Sequence, residues 1–251
     1  MPADLRIIGI DGIPEVHPGD DLAAQILDAA QAQGLAFEDG DVIVVTQKVV
    51  SKAEGRIVAL DDVEPGAFAN QIAEQWEKDP RVVETVLRES ARIVRMDHGV
   101  VICETKHGFI CANAGVDSSN VEELGTVTLL PEDPDASARA LRTSIEKEAG
   151  VGVAVIITDT FGRPWREGHV NFAIGVAGMT PIADYQGQLD PAGYEIRVTQ
   201  IAVADELAAA AELAHGKLDR TPVAVVRGYA YEAGNGSASE LVRDPERDLF
   251  R

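Results

Sequence analysis

Apolar positions follow two rhythms along this chain. Almost wholly apolar runs occupy residues 7–10, 41–46 and 151–158 and read as buried strands, the middle one covered on both faces. Between them, apolar residues recur at helical spacing. A helix capped by Asp20 or Asp21 carries Leu22, Ile26 and Leu27 and stops at Gly34. Asp79-Pro80 opens another, with proline at its first position and a stripe of Val82, Val83, Val86, Leu87, Ile93 and Val94. A third spans 134–149 and ends at Gly150, and an alanine-rich one spans 205–215 and ends at Gly216. Residues 100–103 and 109–112 read as a strand pair around Lys106-His107-Gly108, and 195–203 and 223–227 as later strands. Residues 234–237 read as a flexible loop too short to separate domains. No repeat is present. Interleaved strands and helices predict a mixed α/β fold, its sheets flanked by helices.

The chain's 251 residues suffice for one large domain or two small ones. Its formal net charge of −20 argues against nucleic acid and anionic membranes as partners, since both reward basic patches. The acidity fits solubility or adaptation to salt, and an anionic substrate would need local basic groups or metal ions. No apolar run approaches ~20 residues and the N-terminus lacks a signal-peptide shape, so the expected location is the cytoplasm. The two cysteines, Cys103 and Cys111, lie in apolar runs without zinc-ligand spacing and are expected to be buried reduced thiols.

Candidate chemistry gathers after the run at 151–158, which delivers Asp159-Thr160 into a Gly/Pro turn bearing Arg163 and Arg166. Strand ends are where ligands bind in α/β proteins. Asp159 and Thr160 could share a hard cation through a carboxylate and a hydroxyl or backbone carbonyl, and the arginines could grip phosphate or carboxylate. The same pattern also fits an aspartate capping a turn. His169 could act as a base or be structural. Asp117, in the loop 113–120, could supply a second carboxylate and Asn120 a hydrogen bond to a base, sugar or phosphate; these residues also form Asx turns readily. Lys48, Lys52 and Arg56 are spaced by four and share one side whether helical or extended, a cationic rail for phosphates or else a solvated basic edge. Gly12-Ile13-Pro14-Glu15-Val16 ends a strand in a rigid turn that lets a ligand approach backbone amides. No Walker A motif, Gly-x-Gly-x-x-Gly turn, His-Glu-x-x-His or Gly-x-Ser-x-Gly elbow occurs.

Taken together, GIPEVHPGDDL at 12–22, DVIVVTQKVVSKAEGRIV at 41–58, ANAGVDSSN at 112–120, LLPEDPDASARALR at 129–142, VAVIITDTFGRPWREG at 153–168, AVADELAAAAEL at 202–213 and TPVAVVRG at 221–228 resemble one family. It is that of the γ-glutamyl ligases acting on coenzyme F420, of the CofE type. The resemblance runs in unbroken order over nearly the whole chain. It implies the family's own mixed α/β fold over 1–251, open to division into two interleaved subdomains, an intertwined homodimer, and no C-terminal nitroreductase-like domain. It implies transfer of L-glutamate to a deazaflavin phosphodiester, driven by GTP with two divalent ions, Mg²⁺ or Mn²⁺, and K⁺ as an optional addition. By position, Ile13, Pro14, Glu15, Val16, Gln47, Lys52 and Asn120 would contact GTP, and Asp117, Asp159 and Thr160 would ligate metal. Asp117, Asp159 and Lys52 would be the catalytic groups. The expected course is phosphorylation of the acceptor carboxylate to an acyl phosphate, then attack by the amine of glutamate. Gln47, His169 and Asn171 stand where Ser, Gln and Asp are common in the family. The competing classes are a metal-dependent nucleotide phosphohydrolase and a nucleotide-binding protein without turnover.

Overall fold

The chain is described by a computed structural model covering residues 4–117 and 125–248. In chain order its elements are β1 (Arg6–Ile10), α1 (Leu22–Ala32), β2 (Val42–Thr46), α2 (Gln47–Ala53), β3 (Ile57–Ala59), α3 (Ala67–Trp76), α4 (Pro80–Glu89), β4 (Ser90–Asp97), β5 (Val100–Thr105) and β6 (Ile110–Ala112). They continue with β7 (Thr126–Thr128), α5 (Pro134–Ala149), β8 (Ala154–Arg163), β9 (Arg166–Ala177), β10 (Ala183–Asp184), β11 (Gln200–Ile201), α6 (Val203–His215) and β12 (Val223–Arg227). The mixed α/β reading holds.

Five strands form the main sheet in the order β1-β12-β2-β8-β9, with β2 and β8 parallel and the other neighbours antiparallel. Helices cover both faces, which is why Val42, Ile43, Val44 and Val45 are all buried. Register fixes which helix lies where. Gly9, Ala224, Val44 and Ile156 share one face, and a Cβ on Gly9 would lie 3.1 Å from the Ala214 carbonyl of α6. Gly175 pairs with Ile157 on the other face, where a Cβ would come within 2.3 Å of the Pro134 carbonyl at the start of α5. Only glycine permits the second approach, and at Gly9 a side chain would displace Thr221, whose Cγ2 would lie 2.8 Å away. The charged end of the sheet is tied by Arg227, whose fork meets Asp41 at 2.8 and 2.7 Å and also Glu38.

A second group is leaner. β4-β5-β6 form an antiparallel sheet, with α3 and α4 packed beside them. Its apolar clusters are small: Ala69, Ile72, Ala73 and Val83 in one, Val86, Val101, Cys103 and Ala114 in the other. Cys103 and Cys111 are buried free thiols facing each other across β5 and β6.

Several boundaries differ from the sequence expectation. α4 stops at Glu89 rather than reaching Val94. The Ser90 hydroxyl donates to the Val86 carbonyl at 2.6 Å, and Ser90 turns extended, so β-branched Ile93 and Val94 fall in β4. β8 does not end at Thr158 but runs to Arg163, because Pro164 and Trp165 alone make the hairpin turn to β9. Of the strand expected at 195–203 only Gln200–Ile201 forms, and α6 starts already at Val203. The loop 234–237 is packed rather than flexible: the N–H groups of Gly234 and Gly236 donate to Gly178 and Met179, and Ser237 caps a short 3-10 turn.

Candidate functional site

β1, β2 and β8 all point their C-terminal ends to one edge of the main sheet, where β12 begins. A cavity of about 470 Å³ opens there. Parallel pairing with β2 stops at Thr46 opposite Thr158. Asp159 and Thr160 therefore stand where the sheet ends although β8 itself continues, and the expectation of a strand-end pair is met by the sheet rather than by the strand. Alternation along β8 sends the two side chains to opposite sides. Thr160 lies opposite Asn171 of β9, beneath α6. Asp159 faces toward Cys111 and Asp117.

Ile13, Pro14, Glu15, Val16, Gln47, Lys52, Asp159 and Thr160 all line this one cavity. They come from three separate segments. α2 supplies cations from one helical face, since Lys48 and Lys52 are one turn apart. Each lysine meets a carboxylate: Lys48 Nζ is 2.7 Å from Asp117 Oδ2, and Lys52, only 9% exposed, pairs with Glu15. Gln47 is buried, its side-chain carbonyl accepting from the Ser51 hydroxyl at 2.8 Å. Asp117 does not itself line the cavity and is joined to it through Lys48. Its backbone is bridged to Thr128, at 3.0 Å from its N–H to the Thr128 carbonyl and 2.8 Å in return. Just before it, Asn113, Ala114 and Gly115 all take left-handed dihedrals, with φ of 52°, 52° and 72°. A Cβ on Gly115 would strike Leu130 at 2.7 Å.

Burial pushes the Asp159 carboxyl up to about 6; the Thr160 N–H opposes this, neighbouring Asp117 adds to it, and Lys48 and Lys217 relieve it. A carboxylate that is costly to ionise beside a second carboxylate is a place where a cation is welcome. Among the described residues no group of three or more His, Cys, Asp or Glu side chains could hold a metal by itself. Mg²⁺-type ions take one or two carboxylates and leave the remaining positions to water and phosphate oxygens, and Asp159 with Asp117 near it offers such carboxylates. The donors present fit such an ion.

Expectations for four basic residues are not met. Arg56 leaves the rail: α2 ends at Ala53, and the guanidinium turns to Glu89 at 3.0 Å and the Leu130 carbonyl at 3.0 Å. Arg163, Arg166 and His169 sit in the outer β8–β9 hairpin and do not line the cavity; Arg163 donates to the Glu167 carbonyl at 2.7 Å. Asn120 lies outside the described residues. Conversely, Glu212, His215, Lys217 and Arg220 line the cavity without having been singled out. Their signal was faint: α6 and its terminal glycine read as core helix and stop, and only the sheet order brings them to the site. Burial holds the His215 imidazole below its usual range despite Glu212 at 3.7 Å and the Val44 carbonyl beside it.

Fold and cavity define a mixed α/β protein with a charge-paired, ligand-sized cleft at its strand ends. Comparison with known proteins gives the family. The description F420-0:Gamma-glutamyl ligase matches residues 11–228. The chain is 46% identical over 250 residues to the Coenzyme F420:L-glutamate ligase of Methanothermobacter thermautotrophicus, covering 98% of this chain and 99% of that one. It is 47% identical over 255 residues to the protein of that name from Methanopyrus kandleri, again 98% and 99%, and 44% over 248 residues to that of Archaeoglobus fulgidus, 98% and 96%. The chain belongs to the F420-0:gamma-glutamyl ligase family.

Proposed function

We propose that this protein is a GTP-dependent ligase that joins L-glutamate to the deazaflavin coenzyme F420 precursor. The observation that carries the reading is convergence. Segments 13–16, 47–52 and 159–160, far apart in sequence, share one cleft, and Asp117 is drawn in through Lys48. Family membership supplies the reaction class.

Amide formation from a free carboxylate needs activation. An acceptor carboxylate oxygen attacks the γ-phosphorus of GTP, GDP leaves, and an acyl phosphate forms. The amine of glutamate, having lost a proton, attacks the acyl carbon; the carbon–oxygen bond to phosphate breaks, giving amide and inorganic phosphate. The turn 13–16 and Gln47 orient the nucleotide, and Lys52 offsets charge on its phosphates. Glu15 keeps Lys52 extended toward the cleft. Asp117, Asp159 and Thr160 would hold Mg²⁺ or Mn²⁺, and the opposed directions of Asp159 and Thr160 favour two ions over one shared. Such ions, held there, would supply neutralisation of charge on the transferring phosphoryl group. The remaining contribution is positioning.

The test is GDP release with GTP, Mg²⁺ and glutamate, with and without the deazaflavin acceptor. Release that requires both acceptor and glutamate supports the ligase. Release with neither would make the protein a phosphohydrolase, and no release under any condition would leave a binding protein.

A further inference from the structure

One chain of hydrogen bonds, buried at its middle member, reaches the cleft from the α6 side. The Thr160 hydroxyl donates to Asn171 Oδ1 at 2.8 Å, and Asn171 Nδ2 donates to Glu212 Oε2 at 2.8 Å. Asn171 is 2% exposed, so its amide has no solvent alternative. Thr160 and Asn171 are direct cross-strand partners in the β8–β9 pair, and Glu212 comes from the last turn of α6.

The chemistry of these groups gives the chain a direction. An ionised carboxylate only accepts, so Glu212 compels the Asn171 amide to present its NH₂ toward α6. The Asn171 carbonyl must then face Thr160. A hydroxyl has one proton and two lone pairs, and this one's proton is spent on Asn171. Its lone pairs are left for the cavity, where an oxygen ligand of a cation needs them. Were the amide reversed, its NH₂ would donate to the Thr160 oxygen and occupy one of its two lone pairs, leaving the hydroxyl proton free to turn toward the cation.

We infer that Asn171 and Glu212 are positioning residues that set the rotor of the Thr160 hydroxyl so that its oxygen is available to a divalent cation. The inference rests on Thr160 being a cation ligand, as proposed above. Partners of this kind around metal ligands commonly change affinity 10–100-fold when removed.

The experiment titrates Mn²⁺ into the full chain with GDP present, following the electron paramagnetic resonance of free Mn²⁺, with thermal melting to confirm folding. Asn171→Ala is expected to weaken Mn²⁺ binding about 10–100-fold with folding retained. Glu212→Gln is expected to bind within a few-fold of the unaltered protein, because its side-chain carbonyl can still accept from Asn171. Thr160→Val removes the ligand, and the double variant Thr160→Val/Asn171→Ala should lose no more than Thr160→Val alone, as for residues acting through one another. A folded Asn171→Ala with unchanged Mn²⁺ affinity, additive losses in the double variant, or a Glu212→Gln loss as large as that of Asn171→Ala would each overturn the inference. A different result marks failure of the underlying reading: if Thr160→Val binds Mn²⁺ as the unaltered protein does, Thr160 is no ligand, and the inference falls with it.

Discussion

The five-stranded and three-stranded sheets meet at one site but are held together differently. In the first, Val42 to Val45 and Ala154 to Ile157 are buried on both faces by α1, α5 and α6. In the second, β5 alternates buried with more open residues, β4 is largely open to solvent, and the apolar clusters beneath are of four buried residues each. The covered sheet supplies Asp159, Thr160 and the lysines of α2. The lean one leads into Asp117. A cleft built this way has one wall fixed by packing and one carboxylate delivered by a segment with little core of its own. The ion pair of Lys48 with Asp117 ties the second to the first, and the Thr128 bridge joins it to the separate β3–β7 pair.

The comparison can be broken most forcefully at the rigid wall. Asp159→Ala should lower GDP release in the complete reaction by about 10³-fold or more, about 4 kcal/mol in the barrier, while far-UV circular dichroism stays unchanged. Near-full turnover would refute the role given to that carboxylate. Next comes the covered core itself: Ile156→Ala should cost about 3 kcal/mol and lower the melting temperature of the whole chain by about 10 °C. The equivalent cut in the lean sheet, Val101→Ala, should cost about 1–2 kcal/mol and speed amide hydrogen exchange in β4–β6 while β2 and β8 remain protected. Equal acceleration in both sheets would show that they open as one unit.

The smallest effect lies at the junction. Asp159 has a folded pKa near 6 against about 3.9 unfolded, so between those values the native state binds more protons than the unfolded one. Its contribution to stability therefore declines as pH rises from about 4 to about 6, and the penalty persists above that. Asp159→Asn should stabilise the ligand-free protein by about 1 kcal/mol at pH 8, after allowance for solvent in the cavity, and by nothing below about pH 4. Melting curves at the two pH values decide it; a gain that is the same at both would place its origin outside ionisation.

How far the chain could be read depended on whether the signal was local. α5 was legible end to end, because Asp133 caps it, Pro134 starts it and left-handed Gly150 stops it. The α4–β4 boundary was not, since a helical stripe continued through residues whose β-branching and pairing with β5 decide otherwise. Gly162 and Pro164 together suggested a long turn, yet Gly162 pairs with His169 inside the hairpin. Asp159, Lys52 and the turn 13–16 could be found from strand ends and charge. Glu212 could not, and Asn171 stood out only as a departure from the family, because only hairpin register and the seat of α6 bring the two to Thr160. Arg56 misled for the converse reason: spacing put it on the rail, and Glu89, 33 positions away, took it off.

The left-handed triplet at 113–115 carries a lesson for anyone wishing to transplant this site. Two non-glycine residues there adopt a backbone that costs about 1–2 kcal/mol apiece, and Gly115 is seated where Leu130 leaves no space for a methyl group. The aim of the carboxylate two positions on is thus stored in main-chain handedness. A graft that copied Asp117, Asp159 and the lysines onto another scaffold, but omitted the triplet and its leucine, would carry the right atoms with the wrong bearing.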